Sequence, residues 1–221
     1  MNVVITGANR GLGLGLVCHY LAQGDAVWAG HRAELGELAA LAQNRLHPVP
    51  WDVCQPLSSL DMLPEPIDLL INNAGIYGPG KDAQSLEQIT PQVMMQLFET
   101  DCVAALMVVQ QLRARFATNA IIANMSSKMG SITDNSSGGT YAYRAAKAAL
   151  VMVSKSLAVD LAPSGIHLLT LHPGWVRTDM TQHTGLMDIA DSVAGLTSVL
   201  AQAHNYEAGS FISFDGQTIP Y

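Results

Sequence analysis

The chain begins with a short apolar run that leads directly into a glycine-rich turn and then into a helical segment. Residues Asn2–Thr6 have the composition of a strand. In the turn that follows, Gly7 permits a tight bend, Gly11 lets the backbone approach a ligand, and Gly13 lets the next helix pack closely on the strand. A helix N-terminus in this position offers free N–H groups and a positive dipole end to an anion. Glycine clusters often mark plain turns, but this context favours binding of a dinucleotide pyrophosphate.

The rest of the chain alternates between apolar, β-rich runs and segments with a helical period. Further strands are expected at Ala26–Ala29, Leu46–Trp51, Ile67–Ile71, Ala120–Met125, Ile166–Leu171 and Ser210–Phe214. Helices are expected at Leu12–Gln23, Ala33–Gln43, Gln92–Phe116, Tyr143–Leu161 and Ala190–Ala203. Several strands are apolar at consecutive positions, which is typical of strands covered on both faces. The pattern predicts an α/β fold, a doubly wound parallel sheet of about seven strands flanked by helices on both faces, with residues 1–221 as a single domain.

Charge and cysteine content limit the possible partners. Because 18 acidic residues outnumber 11 basic ones, the net charge is −7, and no run of Lys or Arg occurs. Nucleic acid and acidic membranes are therefore disfavoured as partners. The three cysteines form no CxxC pair and no metal-like spacing, which indicates a reducing compartment and no metal site. We expect a soluble cytoplasmic protein, since neither a signal peptide nor an uninterrupted apolar stretch of about 18 residues is evident.

The end of the second expected strand suggests which dinucleotide binds. A carboxylate there would accept a hydrogen bond from the ribose of NAD, whereas an Arg accommodates the extra phosphate of NADP. The first acidic residue after this strand is Glu34, while Arg10, His31 and Arg32 offer cationic groups. Arg32 is also compatible with a solvated residue at a helix entry. The pattern favours NADP over NAD.

A tyrosine and a lysine define the expected chemistry. Tyr143 and Lys147 lie four residues apart on an expected helix and so share a face. A neighbouring ammonium stabilises a phenolate and lowers the pKa of the phenol, which can then exchange a proton with a carbonyl or alcohol oxygen. The pair alone could be coincidental. It gains weight because the strand before it ends in Ser126 and Ser127, which places a hydroxyl at the same sheet edge.

Two polar loops follow expected strands, namely Asn73–Pro91 and Lys128–Thr140. Ligands of a doubly wound sheet bind outside the carboxyl ends of its strands. We therefore expect both loops to lie at the ligand site or over it.

Taken together, these motifs resemble the short-chain dehydrogenase/reductase family along essentially the whole chain. The matching segments are Thr6–Gly13, Asp52-Val53, Asn72-Asn73-Ala74-Gly75, Ser126-Ser127 with Gly130, Tyr143 with Lys147, and Pro173-Gly174. The Ser/Gly-rich loop before Tyr143 and the ending from Gly209 to Pro220 are similar to the sniffer and C-factor-like branch. The resemblance implies a Rossmann-like fold and NADP(H)-dependent carbonyl reductase activity.

The resemblance also implies roles for individual residues. Tyr143 would be the general acid/base, Lys147 would lower its pKa and hold the nicotinamide ribose, and Ser127 rather than Ser126 would polarise the carbonyl. Asp52 and Val53 would contact adenine. The remaining implied cofactor contacts are Gly7, Asn9, Arg10, Gly11, Leu12 and Gly13 in the turn, Asn73, Ala74 and Gly75 along the cleft, and Pro173, Gly174, Val176 and Thr178 on the nicotinamide side. Taken singly, Asn72-Asn73 is compatible with a simple turn and Pro173-Gly174 with a strand end.

The chain departs from the family pattern at Asp101, where the family usually has an Asn that helps hold a proton-relaying water. An ionised Asp accepts hydrogen bonds but cannot donate them. We expect Asp101 to pair with Lys147 and to weaken the effect of that lysine on Tyr143. Ala146 replaces a frequent Ser, with little expected consequence.

Two functions remain open from the sequence. The first is an NADP(H)-dependent enzyme acting on a small-molecule carbonyl, assembled as a homodimer through the helices expected at Gln92–Phe116 and Tyr143–Leu161. The second is a non-catalytic NADP(H)-binding signalling or regulatory protein, for which Asp101 leaves room. The intact set of Ser127, Tyr143 and Lys147 favours the enzyme.

Overall fold

A computed structural model describes residues 1–32, 34–41 and 44–221. Its sheet contains seven parallel strands in the order β3-β2-β1-β4-β5-β6-β7. The strands are β1 (Asn2–Ile5), β2 (Ala26–His31), β3 (Leu46–Pro50), β4 (Ile67–Asn72), β5 (Phe116–Met125), β6 (His167–His172) and β7 (Phe211–Ser213). The expected Rossmann-like architecture is confirmed. The main difference is that β5 begins at Phe116, four residues before the expected start.

Helices pack against both faces of the sheet. They are α1 (Gly11–Ala22), α2 (Pro91–Phe98), α3 (Ala104–Leu112), α4 (Tyr141–Leu161) and α5 (Ile189–Ala201). A π-helical turn at Glu99–Val103 joins α2 to α3 and turns Asp101 and Cys102 into the interior. The expectation of one regular helix over Gln92–Phe116 was therefore wrong in two respects, because the π-turn interrupts it and Phe116 already belongs to β5.

The helix expected at Ala33–Gln43 was also wrong. Within this range the structure has a short 3₁₀ helix at Gly36–Ala40, and Ala33, Ala42 and Gln43 lie outside the described residues. Gly36 has a φ of +58°, and a Cβ added to it would lie 2.9 Å from the carbonyl oxygen of Asn9. The segment is therefore bent against the glycine-rich turn, and an α-helix cannot begin in that conformation.

Two hydrophobic cores, one on each face of the sheet, account for the consecutive apolar residues of the strands. Neighbouring strand residues point to opposite faces. Val3 and Ile5 pack with Leu16 of α1 on one face, while Val4 packs on the other face in the core that contains Leu112 of α3. Since both faces are covered at the centre of the sheet, ligands can reach the central strands only at their ends.

The helical run Pro91–Arg115 is long and apolar enough to span a membrane by length and composition alone. Glu99 and Asp101 interrupt it. Leu97, Val108 and Leu112 belong to the hydrophobic cores of the fold. We therefore interpret the run as a core helix, as its position beside the sheet indicates.

The contact between β1 and α1 depends on glycine at position 13. A Cβ added to Gly13 would lie 2.2 Å from the carbonyl oxygen of Gly7 and 2.6 Å from Nδ2 of Asn73. At Gly7, where φ is +62°, an added Cβ would lie 2.8 Å from Cα of Ala74. Gly13 thus brings the start of α1 close to the end of β1, as expected from the sequence, while Gly7 lets this turn approach the segment after β4.

Replacing Gly13 tests this contact. Gly→Ala inside a helix ordinarily stabilises it by up to about 1 kcal/mol. For Gly13→Ala we expect the opposite sign, a loss of about 1–3 kcal/mol or more in the free energy of unfolding, because the new methyl group meets backbone. Urea unfolding measures this, with Ser198→Ala as control, since it places an alanine at an exposed position within α5. A Gly13→Ala protein as stable as the parent would contradict the packing argument.

Candidate functional site

The carboxyl ends of β1 and β4 meet where the strand order reverses, and hydrogen bonds join them there. The hydroxyl oxygen of Thr6 accepts from the backbone N–H groups of Asn73 and Ala74, each at 3.1 Å. The Asn73 side chain donates to the carbonyl oxygens of Thr6 at 3.1 Å and Gly7 at 3.0 Å. Asn73 thus braces the glycine-rich turn. Sequence reasoning assigned no role to Thr6, although a hydroxyl residue at a strand end is the signal that would have found it.

The start of α1 has unused hydrogen-bonding capacity. Arg10, at the N-cap position, makes no side-chain capping bond, and the first turn of α1 contains no acidic residue. Gly11 has a φ of +54°, and a Cβ added to it would lie 3.7 Å from Cγ2 of Thr178. Asn9 holds the turn by donating to the carbonyl oxygen of Glu34 at 3.0 Å. The small residues and free N–H groups form a cradle that fits a dinucleotide pyrophosphate.

The three cationic residues expected at the ribose phosphate have different surroundings. Arg32 is exposed directly after β2, whereas His31 is buried as the last residue of that strand. Arg10 is exposed and its guanidinium forms an ion pair with Asp179, with Nη1 and Oδ2 3.0 Å apart. Exposed ion pairs of this kind are worth little, so Arg10 can exchange Asp179 for a phosphate.

Asp52 and Val53 follow β3 at the same edge of the sheet. The Asp52 carboxylate accepts from the backbone N–H of Cys54 at 3.1 Å, and Val53 packs against the core that contains Trp51. Leu12 packs partly against the core beneath α1. Asp52 and Val53 thus lie at the carboxyl end of the strand that pairs with β2.

Ser126 and Ser127 have different partners. Ser126 is buried and donates to the carbonyl oxygen of Lys147 at 3.0 Å, which ties β5 to α4. Ser127 begins a 3₁₀ turn, and its hydroxyl oxygen accepts from the backbone N–H of Met129 at 3.2 Å. The Ser127 hydroxyl also lies close enough to the phenol of Tyr143 to lower its pKa. The geometry therefore places Ser127, and not Ser126, beside the tyrosine.

Tyr143, Lys147 and Asp101 form a buried group. The Lys147 ammonium lies 3.3 Å from Oδ2 of Asp101, donates to the carbonyl oxygen of Met125 at 3.1 Å, and lies 5.6 Å from the centre of the Tyr143 ring. The other oxygen of Asp101 accepts from the backbone N–H of Ile76 at 2.8 Å. The expected pairing of Asp101 with Lys147 is thus present in the structure.

Burial and charge oppose each other in this group. Burial lowers the pKa of Lys147, but the combined effects of Asp101, Tyr143 and Cys102 outweigh burial and the pKa is raised. Burial raises the pKa of Asp101 against the effect of Lys147. Burial also raises the pKa of Tyr143, while Lys147 lowers it and Asp101 raises it again. The lysine acts on the phenol in the expected direction, but burial outweighs it.

Gly75 follows β4 and lies beside the buried pair of Asp101 and Lys147. A Cβ on Gly75 would lie 3.3 Å from both Oδ1 of Asp101 and Nζ of Lys147, so this position stays open only with glycine. Gly174 has a φ of +85°, and the carbonyl oxygen of Pro173 accepts from the Ser192 hydroxyl at 2.6 Å.

The segment after Gly174 folds back over the site. Val176 is buried and forms a β-bridge with Met187. Thr178 forms a capping box with Thr181 and faces Gly11. Fold and site together define a dinucleotide-binding α/β protein with a buried tyrosine and lysine at the edge of its cleft.

Comparisons with known proteins agree with this class. The model of the short chain dehydrogenase family matches residues 1–188, and the chain belongs to this family of oxidoreductases. The C-signal protein of Myxococcus xanthus is 35% identical over 158 residues, which cover 71% of this chain and 93% of that protein.

Two solved structures share the fold along the full chain. NADPH-bound carbonyl reductase from chicken fatty liver is 31% identical with a TM-score of 0.90, covering 100% of this chain and 98% of that one. The carbonyl reductase Sniffer of D. melanogaster is 29% identical with a TM-score of 0.89, covering 100% of this chain and 99% of that one. The C-signal and Sniffer similarities confirm the sniffer and C-factor-like branch.

Proposed function

We propose that this protein is an NADP(H)-dependent oxidoreductase that interconverts a small-molecule carbonyl and its alcohol. The observation that carries the proposal is the buried Tyr143, with Ser127 and Lys147 around it, beside the glycine-lined start of α1. Both groups of residues lie at the carboxyl edge of the sheet, where such folds bind ligands. The whole chain, residues 1–221, acts as one cofactor-binding domain in this proposal.

NADP(H) fits the residues of the cleft. Solved relatives of the same fold are described with bound NADP or NADPH. Here Arg32 and Arg10 supply guanidinium groups for a ribose phosphate, working locally against a net charge of −7. When bound, the cofactor supplies or accepts the hydride. Gly7, Gly11 and Gly13 would hold its pyrophosphate, Asn73, Ala74 and Gly75 would line its cleft, and Pro173, Gly174, Val176 and Thr178 would border its nicotinamide.

Residues of the protein itself carry out proton transfer. In the reducing direction Tyr143 donates its phenolic proton to the carbonyl oxygen, and in the oxidising direction it accepts the proton of the alcohol. The hydroxyl of Ser127 donates to the same oxygen, where negative charge develops. Lys147 stabilises the phenolate that Tyr143 becomes, which opposes the effect of burial on its pKa.

Tyr143→Phe tests the proposal. The substitution keeps the ring and removes the proton, so we expect NADPH binding within about twofold of the parent and turnover lower by about 10²–10⁴-fold. NADPH oxidation over a panel of aldehydes, ketones and quinones provides the measurement. Tyr141→Phe is the matched control, because Tyr141 is exposed two residues earlier on the same helix. Equal turnover in Tyr143→Phe and the parent would refute the assignment.

Asp101 is part of the same proposal. It holds Lys147 with a carboxylate, where the family usually has a neutral amide. An ionised Asp101 cannot donate a hydrogen bond to a relaying water, and its charge raises the pKa of Tyr143. We propose that activity survives this replacement and that its pH dependence is shifted.

The variant Asp101→Asn tests this effect. Removing the negative charge lowers the pKa of Tyr143, so the tyrosine-dependent limb of the pH–rate profile moves to lower pH in both reaction directions. Profiles of kcat/KM from pH 6 to 11 measure the shift. Asp160→Asn, an exposed site that removes the same net charge, is the control. Identical profiles for Asp101→Asn and the parent would contradict the proposal.

A second candidate is a non-catalytic NADP(H)-binding signalling or regulatory protein. The acidic residue at Asp101 and the similarity to the protein named C-signal favour it. Tight NADPH binding without turnover on any substrate, in both the parent and Asp101→Asn, would support this candidate over the enzyme.

We further propose that the protein forms a homodimer in the cytoplasm. Its three cysteines are free thiols, in keeping with a reducing compartment. Large apolar side chains are exposed on the outer faces of α2, α3 and α4, and these are Met95, Phe98, Met107, Met152 and Val159. Helices with such faces suit a symmetric contact of two helices from each subunit.

Sedimentation of a charged variant tests the dimer. The double change Met152→Lys and Val159→Lys places two like charges in the proposed contact of each subunit, so we expect the dimer to dissociate to monomer. Leu186→Lys, an equally exposed apolar position outside these helices, should leave the assembly unchanged. A parent protein that is monomeric at micromolar concentration would rule out the homodimer.

A further inference from the structure

The loop between β4 and α2 contains a completely buried glutamine that the roles above leave unexplained. Gln84 has no exposed surface and ends a 3₁₀ turn at Asp82–Gln84. A polar side chain at this depth is retained only if its hydrogen bonds are satisfied. The surroundings of its amide therefore indicate what the residue does.

Both polar atoms of the Gln84 side-chain amide form hydrogen bonds with backbone groups. Oε1 accepts from the N–H of Tyr143 at 2.9 Å, across 59 residues of chain. Nε2 donates to the carbonyl oxygen of Tyr77 at 2.8 Å and to that of Gly80 at 3.4 Å. One partner is a donor and the others are acceptors, and this fixes the orientation of the Gln84 amide. Its oxygen must face the N–H group, and its nitrogen must face the carbonyl groups.

The Tyr143 N–H needs this acceptor because α4 lacks a cap of its own. A helix usually begins with an extended residue whose side chain accepts from the second or third N–H of the first turn. Thr140, which precedes α4, is left-handed at φ +50° and ψ +44°, and its side chain makes no capping bond. Tyr143 is the third residue of this helix. Gln84 thus caps α4 from another part of the chain.

The same amide also secures the ring that packs on Tyr143. The rings of Tyr77 and Tyr143 are 5.0 Å apart at an angle of 57°. Gly78 and Gly80 follow Tyr77 with positive φ angles, so the backbone there has few restraints of its own. Through Nε2, Gln84 holds the carbonyl of Tyr77, and through Oε1 it holds the backbone of Tyr143.

We propose that Gln84 is a positioning residue that fixes the backbone and ring of Tyr143 by capping α4. The proposal rests on the catalytic role proposed for Tyr143. Helix ends fray, and Tyr143 lies in the first turn of its helix. A misplacement of about 1 Å costs up to about 100-fold in rate, so an anchor at this turn matters for turnover.

Gln84→Met is the decisive variant, because it keeps the length of the side chain and removes all three hydrogen bonds. Its matched control is Gln111→Met. Gln111 clamps a different backbone site, accepting from the N–H of Leu57 at 3.2 Å and donating to its carbonyl oxygen at 3.3 Å. The two substitutions thus make the same chemical change at two glutamines that hydrogen-bond to backbone groups, and only Gln84 contacts Tyr143.

Two readouts are taken on the full-length protein. Amide hydrogen exchange at Tyr143 should accelerate by about tenfold or more in Gln84→Met, since a buried N–H loses its acceptor. With the best substrate of the panel, kcat should fall by about tenfold or more while the NADPH dissociation constant stays within about twofold. Gln111→Met should change neither quantity.

A conservative variant separates positioning from general damage. Gln84→Glu keeps an acceptor for the Tyr143 N–H, so exchange at this amide should stay near the parent rate and kcat should lie between those of the parent and Gln84→Met. If neither variant folds, hydrogen exchange on the parent protein still tests the capping. If Gln84 caps α4, the amide of Tyr143 should exchange about tenfold more slowly than that of Tyr141. A Tyr143 amide that exchanges as fast as that of Tyr141 would overturn the proposal.

Other combinations of exchange rate and turnover distinguish the proposed enzyme activity, the positioning role of Gln84 and its capping of α4. Faster exchange with unchanged kcat in Gln84→Met would overturn the positioning role. A parent that turns over no substrate would instead refute the proposed enzyme, while the exchange rates would still show whether Gln84 caps α4. Unchanged exchange in an active Gln84→Met protein would refute the capping alone.

Discussion

Burial of the sheet on both faces is the constraint on which the rest of this structure depends. Val3 and Ile5 face one core and Val4 faces the other, so the central strand β1 has no solvated side where a ligand could bind. Parallel strands bring their carboxyl ends to one edge. Between β1 and β4 the strand order reverses, and the loops that follow these two strands separate there. The cleft, the glycine-rich turn and Tyr143 all lie at that edge.

The buried pair of Asp101 and Lys147 has the largest electrostatic effect at the site. Each charge would be costly without the other, and removing one partner of such a pair commonly costs about 3–5 kcal/mol. The π-turn at Glu99–Val103 brings Asp101 inward, and Gly75 leaves room for both side chains. π-Turns within α-helices are often found at functional sites. The carboxylate raises the pKa of both Lys147 and Tyr143.

Local sequence predicted those features that depend on neighbouring residues. The glycine spacing of the first turn, the shared face of Tyr143 and Lys147, and the alternation of strands and helices along the chain all follow from short-range geometry. The helix expected at Ala33–Gln43 was wrong because the left-handed backbone of Gly36 packs against Asn9, a contact that its own segment does not reveal. The π-turn was missed for a similar reason, since the residues around Asp101 have an ordinary helical pattern.

The sequence by itself determined the fold class, the place of the dinucleotide cradle and the pairing of tyrosine with lysine. These depend on hydrophobic period, on glycine geometry and on spacing along one helix. Only the tertiary structure decided that burial outweighs Lys147 at Tyr143 and that Gln84 caps the helix carrying this tyrosine. Hydrogen bonds across 59 residues and the desolvation of buried groups arise only when distant segments pack together.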